Sequence, residues 1–474
     1  MVKKLSKTYR LSLGLALIIA AKGARSQSVF PTGVTIYNPA KAYNSFILHS
    51  SPDNKSHLID MNGNEVKSWS HIGFPSEIID PKNNGEKKGS ILLQLENGSG
   101  IYGGIFDNKV VGEQDWNGNT VWQWGKKAPG GEARQNHDLH RLENGNTLLI
   151  SFVDHIVPGV SKQPIGDQTI YEVNKNGDIV WSWNTGEHID EFGISPLGRE
   201  LLRNVYAEGR KGHGFLTIND MQPIGPNKWF DSGDTRFHPD NIVIDSREAS
   251  FIAIIEKKTG KIVWRLGPDF DAKENDSKGS NFGNSVNLRP SLSTNVPRPV
   301  DRFSGQHDAH IISKGLPGAG NLLVFDNQGP SGYPQTNLPV QLGSRVLEID
   351  PVKKEIVWQY TALNSNQPVW NFYSSFISSA RRLPNGNTLI DEGMNGRIFQ
   401  VTPAGEIVWE YINPFFKEST LSGTQIINTN WVFRAQPVPY NWVPDGTPHS
   451  EKALEAIDIS KFKVIQGNQT LKKD

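Results

Sequence analysis

Six stretches of the chain repeat one pattern of apolar and polar positions. Each holds a strand whose side chains alternate with period two, a tight turn such as Asn-Gly or Thr-Gly, and a second alternating strand that ends in tryptophan. They start at Leu58, Gln114, Tyr171, Ala253, Val346 and Ile398, and their tryptophans are Trp69, Trp122, Trp181, Trp264, Trp358 and Trp409. Alternation across a tight turn is the signature of a β-hairpin. Successive tryptophans lie 53, 59, 83, 94 and 51 residues apart. A four-stranded propeller blade takes about 40–50 residues, so every interval holds one blade and two also hold long insertions. The pattern predicts an all-β protein, a six-bladed β-propeller, with top-face insertions over Asn184–Phe237 and Pro268–Arg345 in the middle blades. A tryptophan at a fixed place in each copy predicts packing of one blade against the next. Gly33–Ser50 or Asn430–Val443 is expected to complete a blade and close the ring.

A second repeated element, a turn followed by a strand, recurs as RLENGNTLLI (141–150), RLPNGNTLI (382–390) and, less regularly, GAGNLLVF (318–325). The innermost strand of each blade lines the central channel, so residues just ahead of such strands converge on the axis. His137 stands seven residues before Asn144, and Ser378 holds the corresponding place before Asn385. His307 precedes the strand Leu322–Phe325, and His238 precedes Ile242–Ile244, read here as an inner strand. Three blades thus place a histidine near the channel. A single such residue would be structural, whereas three around one axis form a set of desolvated imidazoles able to act as nucleophile, acid/base or donor.

Arg247 follows the same fourth-blade strand. Its planar donor fork beside neutral histidines suits a tetrahedral oxyanion, sulfate or phosphate; the alternative is an ion pair with Asp245 or Glu248. Asn241, Asp308, His310 and Phe237 adjoin these residues and are the candidate substrate contacts. His140 and His310 come three positions after a histidine, on the opposite face of a strand, which argues against a two-histidine metal clamp. A three-histidine metal site on the axis stays open, but no Asp/Glu ligand pattern supports it, and no cofactor is expected.

Composition narrows the classes. Lys plus Arg and Asp plus Glu balance at 49 each, so no overall field recruits nucleic acid. There is no cysteine, which excludes disulfides, thiolate catalysis and cysteine metal sites. No GxxxxGK[ST] loop occurs, against a nucleotide donor held that way. Lys3, Lys4, Lys7 and Arg10 precede an apolar run from Leu11 to Ala21, and Ala24-Arg25-Ser26 offers small residues for cleavage. Residues 1–26 therefore read as a signal peptide for export to the periplasm or beyond the cell. The propeller is expected over 27–445 and a polar tail over 446–474. No other stretch is long and apolar enough to cross a bilayer, so no stable membrane insertion is expected after cleavage.

DTRFHPDNIVIDSRE (234–248), QHDAHIISKGLPGAGNLLVFDNQG (306–329) and RRLPNGNTLI (381–390) with IFQVTPAGEIVWEY (398–411) resemble the bacterial arylsulfotransferase family. The likeness runs from about Gly33 to Val443. It implies a periplasmic six-bladed propeller that moves a sulfuryl group from a phenolic sulfate ester to a phenolic acceptor through a sulfurylated histidine, without a nucleotide donor. On this resemblance His307 corresponds to the nucleophile, His137 and His238 to supporting histidines, and Arg247 to the supporting arginine. Trp229, Phe237, Tyr333 and Tyr373 would be available to stack on an aryl ring. Two features depart from the family's best-studied members: this chain lacks their disulfide and their N-terminal β-sandwich. The competing readings are a non-catalytic propeller that binds a ligand or partner, and a quinoprotein dehydrogenase, which would want eight blades.

Overall fold

A computed structural model of the protein describes residues 31–97, 106–209, 215–268, 298–299, 303–333, 343–421 and 425–454. The expected signal segment, most of the second insertion and the end of the expected tail lie outside them. Six sheets stand in a ring, and in blades 2 to 6 four strands step outward in chain order from an inner strand. The inner strands are Ala435–Val438, Glu77–Ile78, Gln135–Arg141, Ile218–Pro223, His307–Ile311 and Ser379–Arg382, for blades 1 to 6.

Both chain ends close the ring. Ala435–Val438 pairs inside Phe46–Ser51, so blade 1 takes its inner strand from the end of the chain and its other strands from the beginning. Gly33–Tyr37 adds a fifth strand outside blade 6, against Ile407–Ile412. The segment after Val443 doubles back on this closure: Leu454 exchanges backbone hydrogen bonds with Tyr37, and Ser450 N donates to Asp60.

Each blade is tied to the next by an indole N–H. Trp69 donates to Asp115 O, Trp124 to Gly177 O, Trp183 to Gly260 O, Trp264 to Pro351 O, Trp358 to Pro403 O, and Trp409 to Met61 O. Every acceptor sits at the hairpin turn of the following blade, and the last bond returns to blade 1. The hairpin repeat therefore encodes both the sheet and its neighbour contact. In blade 2 the donor is Trp124, and Trp122 instead lies against Arg141; in blade 3 both Trp183 and the repeat's Trp181 donate to the next hairpin, Trp181 to Lys257 O.

The fourth blade differs from the sequence expectation. Ile242–Ser246 is its second strand, and the inner strand is Ile218–Pro223, which lies within the stretch expected to be an insertion. The sequence INDMQP has no period-two alternation, because on the axis its polar side chains are buried against other blades. What remains of the insertion at the top is the helix Pro196–Tyr206, which starts on a Ser195 cap and packs Leu202 and Tyr206 into the core between blades 3 and 4.

The axis is filled by charge. Arg434, just ahead of the blade 1 inner strand, reaches Asp138 with two nitrogens at 2.9 and 3.0 Å and Asp220 at 2.5 Å, and its Nε lies 3.0 Å from Asp308. These carboxylates come from blades 3, 4 and 5, and Asp308 also pairs with Arg381 of blade 6. Burial opposes ionisation of Asp138, but Arg434 overrules it and holds the carboxyl below the usual range. Asp220 goes the other way: burial, reinforced by the neighbouring Asp138, pushes it well up against the pull of Arg434. Two of these carboxylates also cap the next blade: Asp138 accepts from Met221 N and Asp308 from Ala380 N.

Removing one partner of such a network leaves charges buried and uncompensated. Arg434→Ala is expected to cost about 3–5 kcal/mol in denaturant unfolding. Without the arginine Asp138 loses the charge that holds it down, and Asp220 and Asp308, already raised by burial, rise further above their unfolded values, so the variant's remaining stability falls as pH rises. Unfolding curves at pH 5 and pH 8 check this: the deficit should be larger at pH 8.

Candidate active site

The inner strands of blades 3, 4 and 5 all break register where they begin, at the upper mouth of the channel. Bulges of this kind re-aim side chains. His137 and Asp308 sit in the left-handed region, at φ 51° and 62°. The result is a repeated pair: a polar residue, then an aspartate for Arg434. The pairs are His137-Asp138, Asn219-Asp220 and His307-Asp308.

His307 is buried. Its Nδ1 faces two acceptors, Asn327 Oδ1 at 2.8 Å and Gly305 O at 3.0 Å. Its Nε2 receives the N–H of Ile377 at 3.2 Å. Acceptors on one nitrogen and a donor on the other leave one consistent tautomer, with the proton on Nδ1 and a lone pair on Nε2. Burial first, then the nearby Arg247, push its pKa down to about 3, so the imidazole is neutral at physiological pH. Arg247 lies just past the second strand of blade 4. Asn219 Oδ1 accepts from its backbone N–H at 2.8 Å, its guanidinium pairs with Glu248 at 3.0 Å, and its buried Nε has no partner among the described residues.

His137 holds its Nδ1 at 2.7 Å from Asn136 Oδ1, which also accepts from Gln168. One ring, Phe433, lies beside both histidines, with centroids 6.1 Å from His137 and 6.3 Å from His307. Phe74 lies tilted by 33° against Phe433 with centroids 4.0 Å apart, and the half-buried Phe106 and Trp431 pack edge-on to Phe74. The upper mouth thus has an aromatic wall next to a neutral imidazole and a guanidinium.

The remaining sequence candidates lie elsewhere. His238, Asn241 and Phe237 belong to the loop between the first and second strands of blade 4, at the opposite end of the channel. His238 is half exposed beside Asp240 and Phe230, and Phe237 is core between blades 4 and 5. Asn241 braces its own loop through Arg236 O and Lys257 N. The strand that follows them, Ile242–Ser246, is not the inner one, so the fourth-blade counterpart of His137 and His307 is Asn219. Asp308 is spent on Arg434, Arg381 and Ala380. His310 points its Nδ1 at Asp308 O, deeper in the channel. Trp229 is another blade tie, donating to Gly320 O.

Asn219, Asn327 and the aromatic wall escaped the sequence reading. The recurring HD/ND pair ahead of a short polar stretch was the signal for Asn219; the aromatics come from three separate connections and leave none. Among the described residues no group of three or more His, Asp or Glu is arranged to hold a metal ion, and no helix is long and apolar enough to cross a membrane.

A solved protein of unknown function from Bacteroides caccae is 14% identical, covering 84% of this chain and 99% of that one, with a TM-score of 0.41. A catalytically inactive virginiamycin B lyase from Staphylococcus aureus with quinupristin is 8% identical, covering 82% and 94%, with a TM-score of 0.36. Neither likeness bears on activity. No curated protein matches the sequence. The family model described as Arylsulfotransferase (ASST) matches residues 75–419, a span that takes in His137, Asn219, Arg247, His307 and Asn327, and the chain belongs to that family.

Proposed function

We propose that the protein transfers a sulfuryl group from a phenolic sulfate ester to a phenolic acceptor, with His307 as the group that carries it between them. The observation that supports this best is the state of His307: neutral, near Arg247, with Nδ1–H held by two acceptors and the proton-free Nε2 accepting only the Ile377 N–H, a bond that attack on sulfur would displace. In the first step an S–N bond forms at Nε2 as the S–O bond to the aryl group breaks, and the donor leaves as phenolate. In the second the acceptor oxygen attacks sulfur, the S–N bond breaks, and the acceptor's proton passes to the released phenolate or to solvent. The reaction resembles loose phosphoryl transfer, where positioning and charge stabilisation supply most of the catalysis. Arg247 would hold sulfuryl oxygens, and the ring of Nε2 attack gains a positive charge that Asn327 Oδ1 and Gly305 O stabilise through Nδ1–H.

Phe433, Phe74, Phe106 and Trp431 would receive the aryl group, whose face and edge suit offset and edge-on packing. The reading includes export: residues 1–26 carry the cationic start and apolar run of a signal peptide, and a cysteine-free chain needs no oxidative folding.

Purified protein given p-nitrophenyl sulfate and phenol is expected to release p-nitrophenolate, and His307→Ala to lower the rate by at least about 1,000-fold. Intact mass after donor alone should show a sulfuryl adduct in the wild type and none in the variant. Inactivity of the wild type across a broad panel of aryl sulfates would support a ligand-binding propeller instead.

The pH dependence follows from the lowered pKa. The donor-stage kcat/KM is expected to stay level through pH 6.5, where an ordinary histidine gains a proton, and to lose its His307-dependent part only toward pH 3. The same shift affects stability: the unfolded histidine binds a proton below about 6.5 and the folded one does not, so this contribution is lost as pH falls from there toward 3. An acid limb centred near 6.5 in the donor step would count against His307 as nucleophile.

A further inference from the structure

We propose that Asn327 is the positioning residue for His307, fixing the imidazole in its Nδ1–H tautomer through a neutral amide that is itself locked by the loop covering the ring. The proposal rests on His307 being the reacting group, and its test is arranged to be read without turnover.

The geometry leaves Asn327 one orientation. Its Nδ2 donates to Ser374 O and Ile377 O, both at 2.7 Å. Two carbonyls around that atom accept only the NH2 end, so the oxygen end must face His307 Nδ1. Asn327 is fully buried, and its carbonyl accepts from Ser344 Oγ at 2.9 Å, while that hydroxyl also receives Ser374 N at 3.0 Å. The loop 374–378 is thereby sewn to Asn327 at both ends.

That loop returns the favour at the other ring nitrogen. Ile377 donates its N–H to His307 Nε2, and to do so Ile377 and Ser378 adopt φ 54° and 95°. A β-branched residue in the left-handed region is strained. Close packing holds it: Gly329 has no room for a Cβ against Ser375 O, and Ser378 N donates to Phe433 O. Asn327 and the loop therefore specify the same tautomer from opposite sides of the ring.

An amide does this without adding charge. The charged groups facing His307 are Arg247 from blade 4 and Arg434 from blade 1, both of which disfavour protonation. The nearby carboxylates are engaged elsewhere, Asp308 with Arg381 and Arg434, and Asp326 with Arg345, Gln328 Nε2 and Ser304 N. A carboxylate at position 327 would sit on Nδ1 itself, pair with an imidazolium, and take the lone pair of Nε2 out of use.

The test uses the full chain labelled with 15N-histidine, with the His307 signals assigned by their loss in His307→Ala. In the wild type, Nδ1 should be protonated and Nε2 bare from pH 5 to pH 8. In Asn327→Asp the ring should titrate at a pH higher by roughly one to three units, as an opposite charge at this range dictates, and the acid limb of donor-stage kcat/KM should move up with it. Asn327→Leu should lower kcat by about a hundredfold, as misplacement of a reacting group does, with KM for the donor nearly unchanged because Asn327 does not touch substrate. A wild-type His307 protonated on Nε2, or an Asn327→Asp protein whose His307 titrates as in the wild type, overturns the proposal. The wild-type spectrum decides even if a variant fails to fold or the protein fails to turn over aryl sulfates, so the two readings fail separately.

Discussion

One buried cation organises the centre of the molecule. Arg434 needs anionic partners because a guanidinium withdrawn from water without them is prohibitively costly, and it finds them on three separate blades. Those aspartates can converge only if each inner strand brings its first residues to the axis at one level. The bulges in blades 3, 4 and 5 meet that demand. They also fix what stands one residue earlier, since a strand that turns an aspartate inward at the bulge turns its predecessor toward the mouth. His137, Asn219 and His307 are placed by the charge below them.

The mouth follows a different rule from the axis. At the axis charges meet charges; around His307 the immediate partners are neutral, a backbone carbonyl, an amide and a backbone N–H. Cations stand further off. A neutral, desolvated imidazole keeps its lone pair available across a wide pH range, which a carboxylate partner would end. Strained backbone gathers here as well, at His137, Asp308, Gln328, Ile377 and Ser378. Strain of this kind persists only where the surroundings over-determine it, and the rigid ring of six blades supplies those surroundings.

The ring and much of the site were legible in the sequence. Hairpins and blade number follow from local alternation, turn chemistry and spacing, and the tryptophans that end the hairpins report a contact made by every copy; which end closes the ring was left between two segments, and both take part. His307, His137 and Arg247, which the structure brings to one mouth, could be named from the sequence because they adjoin strands with strong patterns. His238, Asn241 and Phe237 were misplaced for the converse reason. The fourth blade's most strand-like stretch, Ile242–Ser246, is buried on both faces and so reads clearly, while its true inner strand, Ile218–Pro223, presents polar groups to partners in other blades and reads as a loop.

The sequence by itself thus determined the architecture and the residue types available, since hairpin formation depends on neighbours a few positions away. Only the tertiary structure decided which side chains share a mouth. Phe74, Phe106, Trp431 and Phe433 lie hundreds of positions apart in part and meet because the chain's end completes its first blade. Asn327 and Ile377 gain their roles from hydrogen bonds across 20 and 70 positions. Such contacts have no periodicity to betray them; they exist only once the ring has closed.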